Sequence, residues 1–505
     1  MKNGVGKWFL IVAMIFSAAV VSAQDDFGFG DSDFGFGDSD SGFGFSGAQA
    51  SRFSVSIGGE LKAGIKFFYD DFGSADSFKN IQPGDIISGK LNFEAGASSA
   101  RGVINLDLTP VFDGSSPITI DEAYVQAFFG PVTIQGGLRK LSWGKADSFG
   151  PLDLINPLDY SDLSKLSSPQ SIKIARPMIH ASWAMGSFSK LEAVFVPWFQ
   201  GHKFATTGRW APGQITELRA GANQVLDGYA LYFMTPPFAI PDMVMAINTI
   251  QKDFNDKFDS GDIYPETDTL QYAQAGMRFT TTIGSSDFGL QYYFGRLPRP
   301  VIVGYDPTGF FDPSIPLLGP PTVLNLNPDA LFPDVNYNYY HHVGVDYAQV
   351  IFGFNIRAEA GMNLTKDLDG KDGTVENPAI IWSLGFDRDL FWSINLNLQG
   401  VGKIRLFHGE IGDNPLTDCE AGTKLSSTRI TGIVSRKFLR DELELKVSAL
   451  WGIEDNDFLI IPSVAWTKND ISAECAAGFF GGDRKGELGQ YRDNSYIRLS
   501  LSYKF

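Results

Sequence analysis

The sequence predicts an all-β fold, a transmembrane antiparallel up-and-down β-barrel. Three observations carry this. Apolar and polar residues alternate with period two from Phe53 to Phe505. Short turns alternate with long loops, as barrel connections do. Beyond the N-terminus, no apolar run approaches the ~20 residues a spanning helix needs.

Composition agrees. Aromatic residues make up 13% of the 505, yet the mean hydropathy is only -0.05. A chain so rich in Phe, Tyr and Trp without net hydrophobicity must interleave apolar and polar residues finely, as a wall does between lipid and water. The net charge of -17 leaves no basic excess to neutralise phosphates, which excludes nucleic acid as a partner. Two cysteines, Cys419 and Cys475, cannot build a four-cysteine zinc site. An exported chain could bridge them, but the register puts Cys475 on a lipid-facing strand and Cys419 in an outer loop, so no disulfide is expected. No cofactor is implied.

The N-terminus reads as an address. Lys2 and Lys7 form a basic region, Trp8 to Val21 an apolar stretch, and Val21-Ser22-Ala23 a small-residue cleavage site. Residues 1–23 are therefore a signal peptide for export to the outer membrane of a double-membrane cell. Residues 24–51 hold a seven-residue repeat, Asp26-Phe27-Gly28-Phe29-Gly30-Asp31-Ser32 and again Asp33 to Ser39. Glycine at this density predicts a disordered periplasmic tail. Residues 52–505 form the barrel.

Along the barrel, Val55, Ile57, Leu61, Ala63, Ile65 and Phe67 oppose Ser54, Ser56, Glu60, Lys62 and Lys66. A continuous alternation from Phe352 through Leu364 sets Arg357 and Glu359 on the polar face. At the end, Ile497, Leu499, Leu501, Tyr503 and Phe505 oppose Arg498, Ser500, Ser502 and Lys504. Short periplasmic turns are expected at 98–100, 130–131, 186–189, 284–287, 387–389, 440–441 and 468–470. Long outer loops are expected near 70–85, 142–176, 200–268, 299–338, 366–376, 406–424 and 481–493. Counting strands gives 18, with 20 or 16 as the alternatives. Residues 226–234 and 241–249 could supply a further pair. Pro241-Asp242 reads better as a helix start inside a large loop, with Pro at the first helical position. Trp392, Trp451 and Trp466 fall near strand ends, where indoles favour the membrane interface. The terminal Phe505, after an alternating strand, resembles the signal read by barrel assembly machinery.

The polar face defines a lumen. Its charged members include Lys62, Glu122, Arg139, Arg278, Arg357, Glu359, Arg429, Glu444, Lys446 and Arg498, with Glu60, Lys66, Lys90, Glu94, Asp107, Asp346 and Lys504. Both signs are present, so the overall charge does not set an ion selectivity. About 18 strands enclose more space than side chains fill, so a water channel or a loop plug is expected.

Residues 138–163 carry Trp143-Gly144-x-Ala146-Asp147 and then Asn156-Pro157-x-Asp159. With Gly276-Met277-Arg278-Phe279, Asp287-Phe288-Gly289-Leu290-Gln291-Tyr292-Tyr293 and the ending Phe480-Gly481-Gly482-Asp483, Gly489-Gln490-Tyr491, Asp493-Asn494-Ser495, this resembles a group of porin-like outer-membrane proteins related to alginate-export channels. The resemblance implies a porin-like barrel without fixing a solute. One reading of the 142–176 loop folds it inward to narrow the pore, with Trp143 and Gly144 making the turn, Asn156 in an Asn-Pro turn, and Lys145, Asp147, Asp153 and Asp159 offering charges to passing solute. The other keeps it as a surface loop shaped by its Asn-Pro and Gly-Pro turns.

The expected function is a passive or facilitated diffusion channel for small solutes, with membrane lipid as its surroundings. A hydrophobic-substrate transporter is one alternative, with Phe310-Phe311 and Ile315 to Leu318 lining its mouth. A loop-mediated adhesin is another. An enzyme is not expected. Adjacent His341 and His342 point to opposite strand faces, His180 sits in ordinary alternation, and no Gly-x-Ser-x-Gly elbow occurs. A plugged active receptor would need about 22 strands and a folded plug domain.

Overall fold

The computed structural model describes residues 53–71, 86–109, 117–237, 239–260, 262, 264–302, 307–311, 326–414 and 417–505. The export leader and the repeat tail expected over 1–51 lie outside the described residues, as do most of the first outer loop and Ile315 to Leu318.

The chain closes an 18-stranded antiparallel sheet into a ring. The strands are β1 (Ser54–Phe68), β2 (Ile87–Ala97), β3 (Ala100–Leu108), β4 (Ile118–Phe129), β5 (Val132–Arg139), β6 (Arg176–Met185), β7 (Ser189–Val196), β8 (Gln274–Ile283) and β9 (Ser286–Arg296). They continue as β10 (Tyr339–Ile351), β11 (Phe354–Thr365), β12 (Ala379–Asp389), β13 (Ile394–Arg405), β14 (Ser426–Phe438), β15 (Leu443–Gly452), β16 (Asp457–Lys468), β17 (Ile471–Gly482) and β18 (Tyr496–Lys504). Each pairs with its successor, and β18 returns to β1 with Lys66 opposite Arg498 and Lys62 opposite Ser502. Phe505 extends the seam by exchanging backbone hydrogen bonds with Gly59 at 2.9 and 3.0 Å. Closure leaves no strand edge unpaired, the condition for backbone to cross hydrocarbon.

Alternation sorts the faces. On β10, Tyr339, Val343 and Val345 are exposed while Tyr340, His342 and Asp346 are buried. On β18, Ile497, Leu499, Leu501 and Tyr503 form the outer face. Together the outward residues make an apolar belt. A β-bulge at Asp121 of β4 shifts the pairing with β3 between Asn105 and Leu106.

The large loop after β7 carries two helices, α1 (Gly213–Met234) and α2 (Pro241–Ser260). The second starts at Pro241, and α1 covers 226–234, so neither segment adds a strand. Neither helix is long and apolar enough to cross a membrane. Ala222, Leu226, Ala230 and Phe233 of α1 bury against Met243, Ile247, Phe254 and Phe258 of α2, a spacing of three to four residues as helical faces require. Phe310 is fully buried in this cluster and Phe311 packs against it, so these rings build a core rather than line a mouth.

Two expected boundaries move. Asp387 to Asp389 remain strand, and the turn is Leu390 to Ser393, where Trp392 and Ser393 take positive φ. The alternation read from Phe352 begins at Phe354, because Phe352 and Gly353 form a tight turn with φ of 53° and 79°. Periodicity continued across both turns, so pattern alone could not stop the strand.

Candidate functional site

The segment between β5 and β6 runs inside the ring and leans on the inner wall of β8 to β14. Its first stretch is seated by apolar packing. Leu141, Trp143 and Ile155 bury against Met178, Val194, Val196, Tyr293 and Tyr340, all inward residues near the loop end. The Trp143 indole meets Tyr293 edge-on at 6.5 Å.

A polar clasp follows. Glu359, on β11, accepts hydrogen bonds from the backbone N–H of Lys145, of Ala146 at 2.8 Å and of Leu152 at 3.4 Å. Gly144 turns the chain there with φ of 94°, and a Cβ on it would lie 2.4 Å from the Glu359 carboxylate. Beside it, Gln399 of β13 accepts from the backbone N–H of Asp147 at 2.9 Å and of Ser148 at 3.2 Å, and donates to the Ser148 carbonyl at 2.6 Å. Gln291 of β9 donates to the Leu152 carbonyl at 2.9 Å. The wall thus offers side chains to backbone groups that a buried loop must satisfy.

The loop's charges are paired. Asp147 bonds Arg357 of β11 and accepts from Asn397 at 2.8 Å. Burial raises its carboxyl above the ordinary value, against the pull of Arg357 and Asn397. Lys145 lies 3.5 Å from Asp287, Asp153 bonds Lys173, and Asp159 lies 3.3 Å from Lys203. The side chains read as charges offered to solute are held by partners of opposite sign. Asn156 is structural. Its side chain accepts from the backbone N–H of Leu141 at 2.7 Å and donates to the carbonyls of Arg139 and Ile174 at 3.1 and 2.9 Å, pinning the two ends of the loop together.

Further on, the loop crosses to the opposite wall. Asp162 pairs with Lys66 of β1 at 3.1 Å, and Leu163 joins a second buried cluster with Phe68, Leu459, Ile461, Phe480, Trp210 and Tyr491. Against this second cluster packs Tyr160, which stacks on Phe204 at 5.5 Å and meets His202 edge-on at 5.2 Å. His202 accepts from the Leu158 backbone N–H at 2.9 Å. Burial, helped by Arg299, pushes its imidazole down to about 3, so the ring stays neutral. Glu487 bridges Arg299 and Arg429 of β14. Burial pushes its carboxyl up, but the two arginines outweigh this and hold it at about 2.

The other lumen residues divide between the two walls. Arg278 pairs with Asp346 at 2.8 Å behind the clasp. Arg139 lies over the Tyr124 ring at 5.1 Å, and Glu122 accepts from the Lys140 backbone N–H at 2.8 Å. Lys62, Glu444, Lys446 and Arg498 occupy inward register positions on β1, β15 and β18, away from the clasp. Arg498 lies 3.3 Å from Glu474. Gln399, Gln291, Arg299 and Glu487 were missed in sequence. The two glutamines had a signal in their polar-face register; the two loop residues had none. His341 faces outward and bonds Tyr292 at 2.7 Å, whereas His342 is buried inside against Asn363 at 2.8 Å. Among the described residues no cluster of His, Cys, Asp or Glu could hold a metal ion.

No family model and no curated relative matches the chain. Solved structures similar to it include mutants of a porin from Rh. blastica, one of them at 11% identity over 90% of this chain and 100% of that one, with a TM-score of 0.37. Another is Wzi, an Escherichia coli outer-membrane protein involved in group 1 capsule assembly and described as a carbohydrate-binding β-barrel, at 11% identity over 89% of this chain and 84% of that one, TM-score 0.41. A third is Salmonella typhi OmpF in complex with daunomycin, at 6% identity over 89% and 97%, TM-score 0.38.

Proposed function

We propose that the chain is a porin-like diffusion channel of the outer membrane, passing small polar solutes beside the inward 140–175 loop. One observation carries this reading. Along β2 the inner wall bears charges of both signs open to water, with Lys90 and Glu94 each half-exposed. The apolar inward residues nearer the loop end are closed into buried clusters. A passage for hydrophobic substrate would instead leave apolar side chains open along its length. The resemblance of residues 138–163 to alginate-export-type channels supports a porin-like placement. On the same reading, residues 1–23 are a cleaved leader, and the strand ending at Phe505 is handed to barrel assembly machinery.

The test is single-channel recording of the folded protein in planar bilayers, with reversal potentials measured across a salt gradient. A steady open conductance is expected. Electrical silence from protein shown to be folded and inserted would count against a diffusion channel.

A further inference from the structure

A barrel strand that faces lipid should carry no charge away from the interface, because Arg or Lys is costly at the midplane and nearly free at the headgroups. Clear of the β4 bulge, the strands obey this closely. Among the described residues the register turns only Arg296, Arg388, Arg436 and Lys468 outward, opposite Tyr339, Leu396, Leu445 and Ile471. Arg296 is at the loop end. The other three lie at the turn end on alternate strands β12, β14 and β16, within one sector of the ring. The outward turn-end positions of the remaining strands are uncharged, among them Phe129, Met185, Ile283 and Ile351.

Among the described residues no carboxylate pairs with Arg388, Arg436 or Lys468. Each arginine lies over an outward ring, Arg388 over Phe354 and Arg436 over Phe438, both at 4.6 Å. Stacking on a ring fixes a guanidinium while leaving its N–H edge free to donate. Exposed Trp392 and Trp466 flank the same sector and mark the depth as that of the headgroups.

We propose that this outward turn-end sector of β12 to β16 binds the phosphates of anionic phospholipid headgroups. The cations supply the charge complement, the rings hold them in place, and the apolar belt above receives the acyl chains. The site is on the outside of the barrel, so it stands whether or not the lumen conducts.

The full-length folded protein, equilibrated with equal phosphatidylglycerol and phosphatidylcholine in micelles, is examined by native mass spectrometry for retained lipid. Wild type should retain phosphatidylglycerol preferentially, each cation contributing a factor of about five. Arg388→Gln/Arg436→Gln/Lys468→Gln should lose the preference, Arg388→Lys/Arg436→Lys should keep most of it, and Lys252→Gln on α2 should leave it unchanged. Should the triple variant fail to fold, Lys468→Gln alone decides, with an expected fall of about five-fold. Equal retention of both lipids by wild type would overturn the proposal. So would an undiminished preference in the folded triple variant or, where that variant does not fold, in Lys468→Gln.

Discussion

Replacing Glu359 with Gln should free the 144–152 stretch without unfolding the barrel. The carboxylate is buried, 3% exposed, and accepts three backbone N–H groups from a turn more than 200 residues away in sequence. Two of these bonds are close, and the third, at 3.4 Å, is weak. Hydrogen bonds to a charged acceptor contribute about 1.5–3 kcal/mol each, so the close pair is worth about 3–6 kcal/mol. Both close donors share one oxygen, Oε1, so a glutamine can keep the two bonds at about 1 kcal/mol each and turns its NH2 toward the weakly bound Leu152 N–H. The local loss is then at least about 1 kcal/mol, or about five-fold in the opening equilibrium. Losing the charge also relieves repulsion from Asp346, directly opposite Glu359 in the register, which favours the wall rather than the loop. The ladder between β10, β11 and β12 uses backbone alone and should persist. Hydrogen–deuterium exchange read at Lys145 and Ala146 is the assay. Exchange there should accelerate by about five-fold or more while the flanking β11 amides stay protected. Unchanged protection at 145–146 would refute the clasp, and loss of protection throughout β11 would refute its locality.

Three further outcomes follow from the same geometry. Gly144→Ala should displace the same turn, because φ of 94° is strained for alanine and its Cβ would meet Glu359 at 2.4 Å; exchange at 145–146 should rise as it does in Glu359→Gln. Glu487 is depressed below its unfolded value, so its bridge is fully formed above pH of about 4.5 and lost as pH falls toward about 2. Limited proteolysis within 483–495 should therefore increase across that window in wild type, and Glu487→Gln should show no acid step; the effect is modest because the side chain is 41% exposed. Cys419 and Cys475 are both free, and Cys475 points outward from β17. Burial, with nearby Glu376, Glu420 and Asp418, pushes the Cys419 thiol up to about 12. A water-soluble maleimide at pH 7 should label neither site quickly in the membrane-inserted protein and both after denaturation; a single disulfide-linked species before reduction would contradict this.

The strands were legible because one physical constraint repeats along them. Lipid outside and water or packed loop inside impose period two, and even Arg357 and Glu359 could be assigned a face from Phe354 to Leu364. The turns were less legible where they kept the rhythm. Phe352-Gly353 and Leu390 to Ser393 interrupt the ladder through positive φ, which bulky residues such as Phe352 and Trp392 give no sign of adopting. The site was half legible. Parity places Glu359, Gln399 and Arg278 inside, but says nothing of what lies across the lumen, because any inward residue could meet any loop. The pairing of Asp147 with Arg357 depends on the path of a loop between β5 and β6, and no local pattern encodes that.

Polarity inside the ring is graded along its axis, and this changes what strand number means for permeation. Near the turn end the inward positions include Ser54 and Ser56, both exposed, and Glu444 and Lys446, both part-exposed. Near the loop end they include Val194, Val196, Tyr293, Tyr340, Leu459 and Ile461, all buried. Each apolar inward residue left facing water would forfeit the burial of a side chain, about 1.5–3 kcal/mol when complete. Loops must therefore cover this half of the wall, and they do so on opposite sides through Trp143 and through Leu163 with Trp210. An 18-stranded ring sets only the outer limit of the passage. On the proposed channel reading, its working width is set by what the two apolar clusters leave between them, and Tyr160 and the Arg299–Glu487–Arg429 bridge lie beside the second of them. Substitutions at that bridge should thus alter conductance more than substitutions of equal charge at Glu444 or Lys446, at the turn end of β15. A larger effect at Glu444 or Lys446 would place the narrowing at the turn end instead.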